Sequence, residues 1–374
     1  MARRSSTRPT PRNGAGQRNG KPHASTAAPR PPRRRTPTRA ALAKLPDDDL
    51  LALRLCDLPD ELERTPVAPR VRRLYDELDR RGIHFRPHVW FSSEWFSPDG
   101  TPGIAIPFYL IHKRLMRLER REMLQVEGGS DAACMKILRH EAGHCLDTAY
   151  RLHYRRRWRE LFGPYTQKYP DSYQPRPTSR QFVLHLDMWY AQAHPAEDFA
   201  ETFAVWLSGP QQWRHQYAGW PALRKLEYVD ELMHEIGHKP APVRSRAHVE
   251  SIADNRMTLR EHYRRKRLYY LDEWPDFYDA DLLRIFSADE RFAAREPAVS
   301  FLRRVSPELR RIVSKWSGEH QYTIDQVLQD MIDRCKELRL RVALPSGRAT
   351  TEALVMLTVQ TMNFIHTTRH RVML

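Results

Sequence analysis

The segment "LRHEAGHCLDTAY" at residues 138–150 places His140 and His144 four positions apart, with Glu141 directly after the first. On an α-helix, residues four apart share one face. Both imidazoles could therefore meet a single ion, with the carboxylate beside an open coordination position. Such a constellation suits hydrolysis: a divalent metal lowers the pKa of a water towards about 7 and polarises a carbonyl. The glutamate takes the water proton and returns it to the leaving amine.

Spelling alone does not establish a site, because a chain with 17 histidines meets H-E-x-x-H by chance in roughly one case in twenty. A second copy, "HEIGH" with His234, Glu235 and His238, stands in the same sequence. There Gly237 and Pro240 put His238 at or past a helix end, where the four-residue register decays, and no paired-glutamate helix follows. The first copy has such a helix downstream. "HPAEDFAETFAVWL" at 194–207 carries Glu197 and Glu201 four apart among Phe199, Ala200, Phe203, Ala204, Trp206 and Leu207. Carboxylates on so apolar a helix need compensating charge, which an ion and two imidazoles would supply. One of the two can ligate, and the other can hold the far ring nitrogen of a ligand histidine.

The elements that must carry these residues are mostly helical. Pro46 and the aspartates of "LPDDDLLALRLCDL" open a helix, "RVRRLYDELDRRG" forms a second closed by Gly82, and "KRLMRLERREMLQVE" a third ending at Gly128-Gly129. Ser130 or Asp131 caps the next, which is expected to run through the first motif to about Phe162, where Gly163-Pro164 stops it. Residues 181–208 form a further helical stretch interrupted near His194-Pro195, and "PALRKLEYVDELMHEIG" another. "HVWFSSEWF" and "GIAIPFYLIH", separated by a turn at Asp99-Gly100, predict a hairpin or two neighbouring strands, the one convincing β region. The fold class is α+β, mostly helical.

The net charge of +16 belongs to a tail. Residues 1–44 hold 12 Lys or Arg and no acid, which leaves +4 for the other 330. Lacking aromatics and rich in Pro, Ser, Thr and Gly, this tail cannot bury enough apolar surface to fold, and is expected to be disordered. It offers loose electrostatic contact to nucleic acid or anionic membrane, or an organelle-targeting peptide. Three segments follow: the tail 1–44, a catalytic domain at 45–275 and a helical region of unknown role at 276–374. No apolar run approaches the roughly 18 residues of a membrane span and no secretory leader is evident, so a cytoplasmic protein is expected. Cys56, Cys134, Cys145 and Cys335 form no C-x-x-C pair and read as free thiols.

"HEAGH" with the later "EDFAE" resembles the gluzincin superfamily of zinc peptidases, whose thermolysin and lethal-factor branches bind zinc through two helix histidines and a glutamate on a second helix. The resemblance implies a small sheet packed on a helical zincin-like body and one zinc ion held by His140, His144 and Glu197. It also implies Glu201 as the carboxylate behind His140, Glu141 as general base and acid, and Tyr190, seven residues before Glu197, as an oxyanion donor with His194 in reserve. A β-edge beside the site is implied as well, with "GIAIPFYLIH" the nominee to pair with extended substrate. Across residues of about 70–245, "PDGTPGIAIPFYLIH", "LRHEAGH" and "YAQAHPAEDFAETFAVWL" look more closely like an uncharacterised bacterial family described as zinc-binding metallopeptidases. Metzincins fit worse, since their glycine and histidine positions after the motif are here Asp147 and Tyr150. The function expected is peptide-bond hydrolysis on a peptide or protein substrate. The rivals are a DNA-associated zinc protease tethered by the tail and a noncatalytic protein stabilised by zinc. Tyr165, Tyr169 and Tyr173 lie in a loop that either covers the cleft or packs as an ordinary connection.

Overall fold

Leucine- and aromatic-rich helices and a small sheet make up the computed structural model, which describes residues 36–170, 173, 176, 178–209, 212–270 and 278–366. The architecture is α+β and mostly helical, with two-stranded sheets. Residues 1–35 of the predicted tail lie outside the described residues. Within the remainder order begins earlier than expected: Thr38 caps a helix at Arg39–Lys44, Leu42 is fully buried, and Arg39 donates to the Ile111 carbonyl at 2.8 Å. Basic composition hid an apolar anchor.

The first sheet pairs β1 (His88–Ser92) with β2 (Gly103–Pro107) in parallel, Trp90 opposite Ala105. The hairpin alternative therefore fails for these two strands. The Asp99-Gly100 turn, with Gly100 at φ 74°, instead folds Phe96 back antiparallel against Ala105, whose N–H donates to the Phe96 carbonyl at 2.9 Å. A second sheet, β3 (Phe286–Ser287) with β4 (Arg341–Val342), is antiparallel and was not anticipated, since two residues per strand carry no periodicity.

Two helices carry the candidate ligands: the histidine helix Asp131–Tyr150 and the glutamate helix Pro195–Ser208. The first stops at Tyr150 and not near Phe162. Arg151 adopts a left-handed conformation (φ 54°), a short 3-10 turn follows at Leu152–Tyr154, and a separate helix occupies Arg156–Phe162. Leu152 is buried there and His153 reaches back to Asp147 at 2.7 Å, which helps hold the reversal. Residues 181–186 are irregular and lead to a 3-10 turn at Asp187–Gln192.

One apolar cluster runs from Leu42 to Tyr263 and includes Trp158, Phe162, Phe199, Phe203 and Trp206, each such large side chain contributing about 1.5–3 kcal/mol by leaving water. A second, from Tyr278 to Leu357, is formed mainly by helices Ala298–Ser317, Gln321–Glu337 and Ser346–His366. All four cysteines are free, and burial pushes the Cys134 thiol up to about 11. Among the described residues no helix is long and apolar enough to cross a membrane.

Candidate metal centre

Ser130 opens the histidine helix by accepting the Ala133 N–H at 3.2 Å. His194 opens the glutamate helix: its Nδ1 accepts the Ala196 N–H at 3.1 Å, and Pro195 takes the first helical position, where a missing N–H costs nothing. Glu197 and Asp198 fall in that first turn, where unpaired backbone N–H groups favour negative charge. Every residue from Pro195 to Leu207 is buried, so each carboxylate must find a partner inside. Asp198 finds Lys225 at 2.5 Å.

The helices meet at Gly143. A Cβ built there would stand 2.8 Å from the Ala200 Cα and 3.1 Å from the Ala200 carbonyl oxygen, closer than a side chain can sit. Backbone against backbone, with Ala200 between the two glutamates in sequence, brings both carboxylates to the imidazoles.

His140 Nε2 lies 3.0 Å from Glu197 Oε2, and His144 Nε2 lies 3.1 Å from the same oxygen and 3.1 Å from His140 Nε2. Ligand atoms at 2.0–2.1 Å from a tetrahedral zinc are separated by about 3.3–3.4 Å, so this donor set fits the ion to within a few tenths of an ångström. Two nitrogens and a carboxylate oxygen of His140, His144 and Glu197 form the grouping among the described residues that could hold a metal. His140 Nδ1 donates to Glu201 Oε1 at 2.8 Å, and Glu201, fully buried, also accepts the Leu186 N–H at 2.8 Å. With Nδ1–H committed to Glu201, the Nε2 of a neutral His140 would aim a lone pair at a buried carboxylate. A positive charge must lie between them, a proton or a metal. The protonation tendencies agree: burial alone would lower the His140 pKa, but Glu197 and Glu201 carry it well above the ordinary histidine value. Burial would likewise raise Glu197, yet His144 and His140 hold it well below the usual carboxylate range.

Glu141 is buried beside this cluster, and Ser97 Oγ donates to its Oε2 at 2.8 Å, which fixes the carboxylate on a segment that precedes the Asp99-Gly100 turn. The ring of Tyr190 sits 5.6 Å from that of His140, following Trp189 in the strained left-handed region (φ 53°). Burial, then the nearby carboxylates of Glu197 and Glu141, push its hydroxyl well above the usual tyrosine value, so it remains a proton donor.

Some expectations are corrected. His194, the reserve oxyanion donor, has both nitrogens engaged within the fold, Nδ1 as a helix cap and Nε2 on the Gln167 carbonyl at 2.8 Å, and burial lowers its pKa. The nominated edge is not open: Gly103–Pro107 is buried throughout with β1 on one side and Phe96 on the other, and Phe108–Ile111 turns into a 3-10 helix. The second motif is spread outward. Glu235 pairs with Arg155 at 2.6 Å, His234 Nδ1 donates to the Asp230 carbonyl at 2.7 Å, and His238 lies past the helix end against His84.

Two contacts escaped the sequence. Ser97 has no motif to mark it. Tyr169, from the tyrosine loop, donates its hydroxyl to Glu197 Oε1 at 2.8 Å and stacks on His194 with ring centres 3.8 Å apart; Tyr165 reaches Asp99 at 2.5 Å. The spacing of four between these tyrosines was the available signal.

Residues 129–214, which carry both the histidine and the glutamate helix, match a family model described as "Putative zinc-binding metallo-peptidase". No curated protein and no solved structure matches the chain.

Proposed function

We propose that the protein is a zinc-dependent peptidase that binds one ion through His140, His144 and Glu197 and hydrolyses peptide bonds with Glu141 as general base and acid. The observation that carries this reading is the convergence of three ligand atoms within 3.1 Å of one another beside a carboxylate that the metal does not need for binding.

Zinc, when bound, supplies Lewis acidity: it acidifies a water and polarises the scissile carbonyl. The remaining work falls to side chains. Glu201 keeps the hydrogen of His140 on Nδ1, leaving Nε2 free to ligate. Tyr169 holds the second oxygen of Glu197, so that Oε2 faces the histidines. Ser97 orients Glu141, which accepts the proton of the attacking water and delivers it to the departing amine as the C–N bond breaks. The Tyr190 hydroxyl donates to the oxygen that gains negative charge, an interaction absent from the ground state and therefore useful for rate. A noncatalytic zinc protein would require none of this around Glu141.

The test is Glu141→Gln assayed on a fluorogenic peptide library. The variant should retain about one zinc per chain and lose at least ~10²-fold in turnover, the scale of a proton-transfer residue. Unchanged turnover would reject the mechanism.

A further inference from the structure

An open, largely solvent-exposed groove of about 510 Å³ lies away from the metal centre, between the segment after helix Ala68–Arg80, the last residue of the histidine helix and the irregular chain after helix Ala222–Ile236. It shares no residue with the zinc ligands. Tyr150, at its wall, stands six residues beyond His144, about 9 Å further along the helix axis. We infer that this groove is a binding site for a small phosphate-bearing anion of about nucleotide size.

Charge is the first argument. Arg86, Lys239, Arg244 and Arg246 line the groove and no aspartate or glutamate does. Arg86 and Lys239 lean on Asp79 (2.5 Å) and Glu235 (3.2 Å), which are not among the lining residues. Arg244 has a carbonyl contact, Nε to Ala241 at 3.1 Å, and Arg246 makes no hydrogen bond or ion pair among the described residues. Basic residues often gather at helix C-termini to offset the exposed carbonyls, and that accounts for His238 and Lys239, two and three residues past Ile236. It does not account for Arg244 and Arg246, which lie exposed on irregular chain eight and ten residues past that helix. Two guanidinium forks with no acid to satisfy them suit phosphate oxygens, which they can bind in bidentate fashion.

Shape is the second. A volume of about 510 Å³ falls inside the roughly 300–1,000 Å³ of small-molecule sites, and four basic residues around one open groove are too few and too local for the long basic stripe that a duplex would need. Phe85 and Tyr150 meet edge to face at 6.1 Å on one wall and give a planar ring something to pack against. His84 and His238 touch at 3.4 Å and add donors without adding acid. The second H-E-x-x-H motif thus contributes His238 to a different kind of site.

The test uses full-length protein, inorganic tripolyphosphate and ATP as probes, and calorimetry at about 150 mM salt, where weak surface attraction is screened. Saturable 1:1 binding of either probe tighter than about 1 mM, weakened at least tenfold in Arg244→Glu/Arg246→Glu, supports the inference. Equal affinities would assign recognition to the phosphate chain, and tighter ATP binding would add the aromatic wall. Should the double Glu variant unfold by circular dichroism, Arg244→Gln/Arg246→Gln replaces it, with a loss of at least threefold expected. Absence of binding by both probes, or binding that the folded variant retains in full, overturns it.

Discussion

Replacing Glu201 by Gln changes one oxygen to an NH2 group at a position that is fully buried and that receives two donors, His140 Nδ1–H and Leu186 N–H, each at 2.8 Å. The amide keeps the shape but can accept at only one end. One of the two donors must then face another donor, and a buried donor without a partner costs about 1–3 kcal/mol. If the amide oxygen stays with Leu186, His140 loses the carboxylate that fixes its tautomer, and ligand basicity falls with it. The expected loss is 10–100-fold in zinc affinity, or about 1.4–2.7 kcal/mol. The ligand set itself is intact, so saturating zinc should restore the metal and most of the turnover. Competition with a chromogenic chelator at neutral pH measures the affinity, and a thermal scan with excess zinc reports whether the chain is folded. A folded Glu201→Gln protein whose zinc affinity lies within twofold of the parent would refute the reasoning that Glu201 governs His140.

Gly143→Ala should destabilise the protein although alanine gains about 1 kcal/mol in helix propensity, because its Cβ would meet the Ala200 Cα at 2.8 Å and overpacking costs about 1–3 kcal/mol; a thermal midpoint at or above the parent's would contradict this. Tyr169→Phe and Tyr190→Phe should separate two roles: the first weakens zinc binding by about tenfold, while the second keeps the metal and slows turnover by ~10²-fold or more, both read from chelator competition and initial rates. Glu235→Gln should leave zinc content and peptide turnover unchanged. Hydrogen bonding to Arg155 holds the folded Glu235 carboxyl at about 2, below its unfolded value of 4.5, so its stabilising contribution is complete above pH ~4.5 and fades as pH falls towards 2. Being half exposed, the pair is screened and contributes under about 1 kcal/mol, which denaturant titration at pH 7 and pH 3 would show as a gap between parent and variant that narrows in acid.

The residues of the candidate metal site were legible because each half of the site is a local pattern. A spacing of four puts His140 and His144 on one face, and again Glu197 and Glu201, and the apolar surroundings of the second pair required a counter-charge. What the pattern could not provide was the meeting of the two halves, which rests on Gly143 lying against Ala200, a contact with no signature in either helix alone. The end of the histidine helix was misplaced because Arg151 carries its left-handed turn without glycine, asparagine or proline to announce it. Strand direction was equally hidden: the Asp99-Gly100 turn was visible, but it reverses the chain at Phe96, and β1 joins the opposite edge of β2 in parallel. Tyr169 and Ser97 reach the site along chain paths that only the fold defines, and Leu42 lay behind a basic tail whose composition predicted no anchor.

Zinc K-edge X-ray absorption on protein purified with one equivalent of zinc tests ligation by His140, His144 and Glu197 most directly. Nitrogen and oxygen neighbours are expected at about 2.0–2.1 Å with the multiple-scattering signature of two imidazoles, reduced to one in His144→Ala. A chain that retains no zinc, a sulfur neighbour near ~2.3 Å, or two imidazoles persisting in His144→Ala would contradict it.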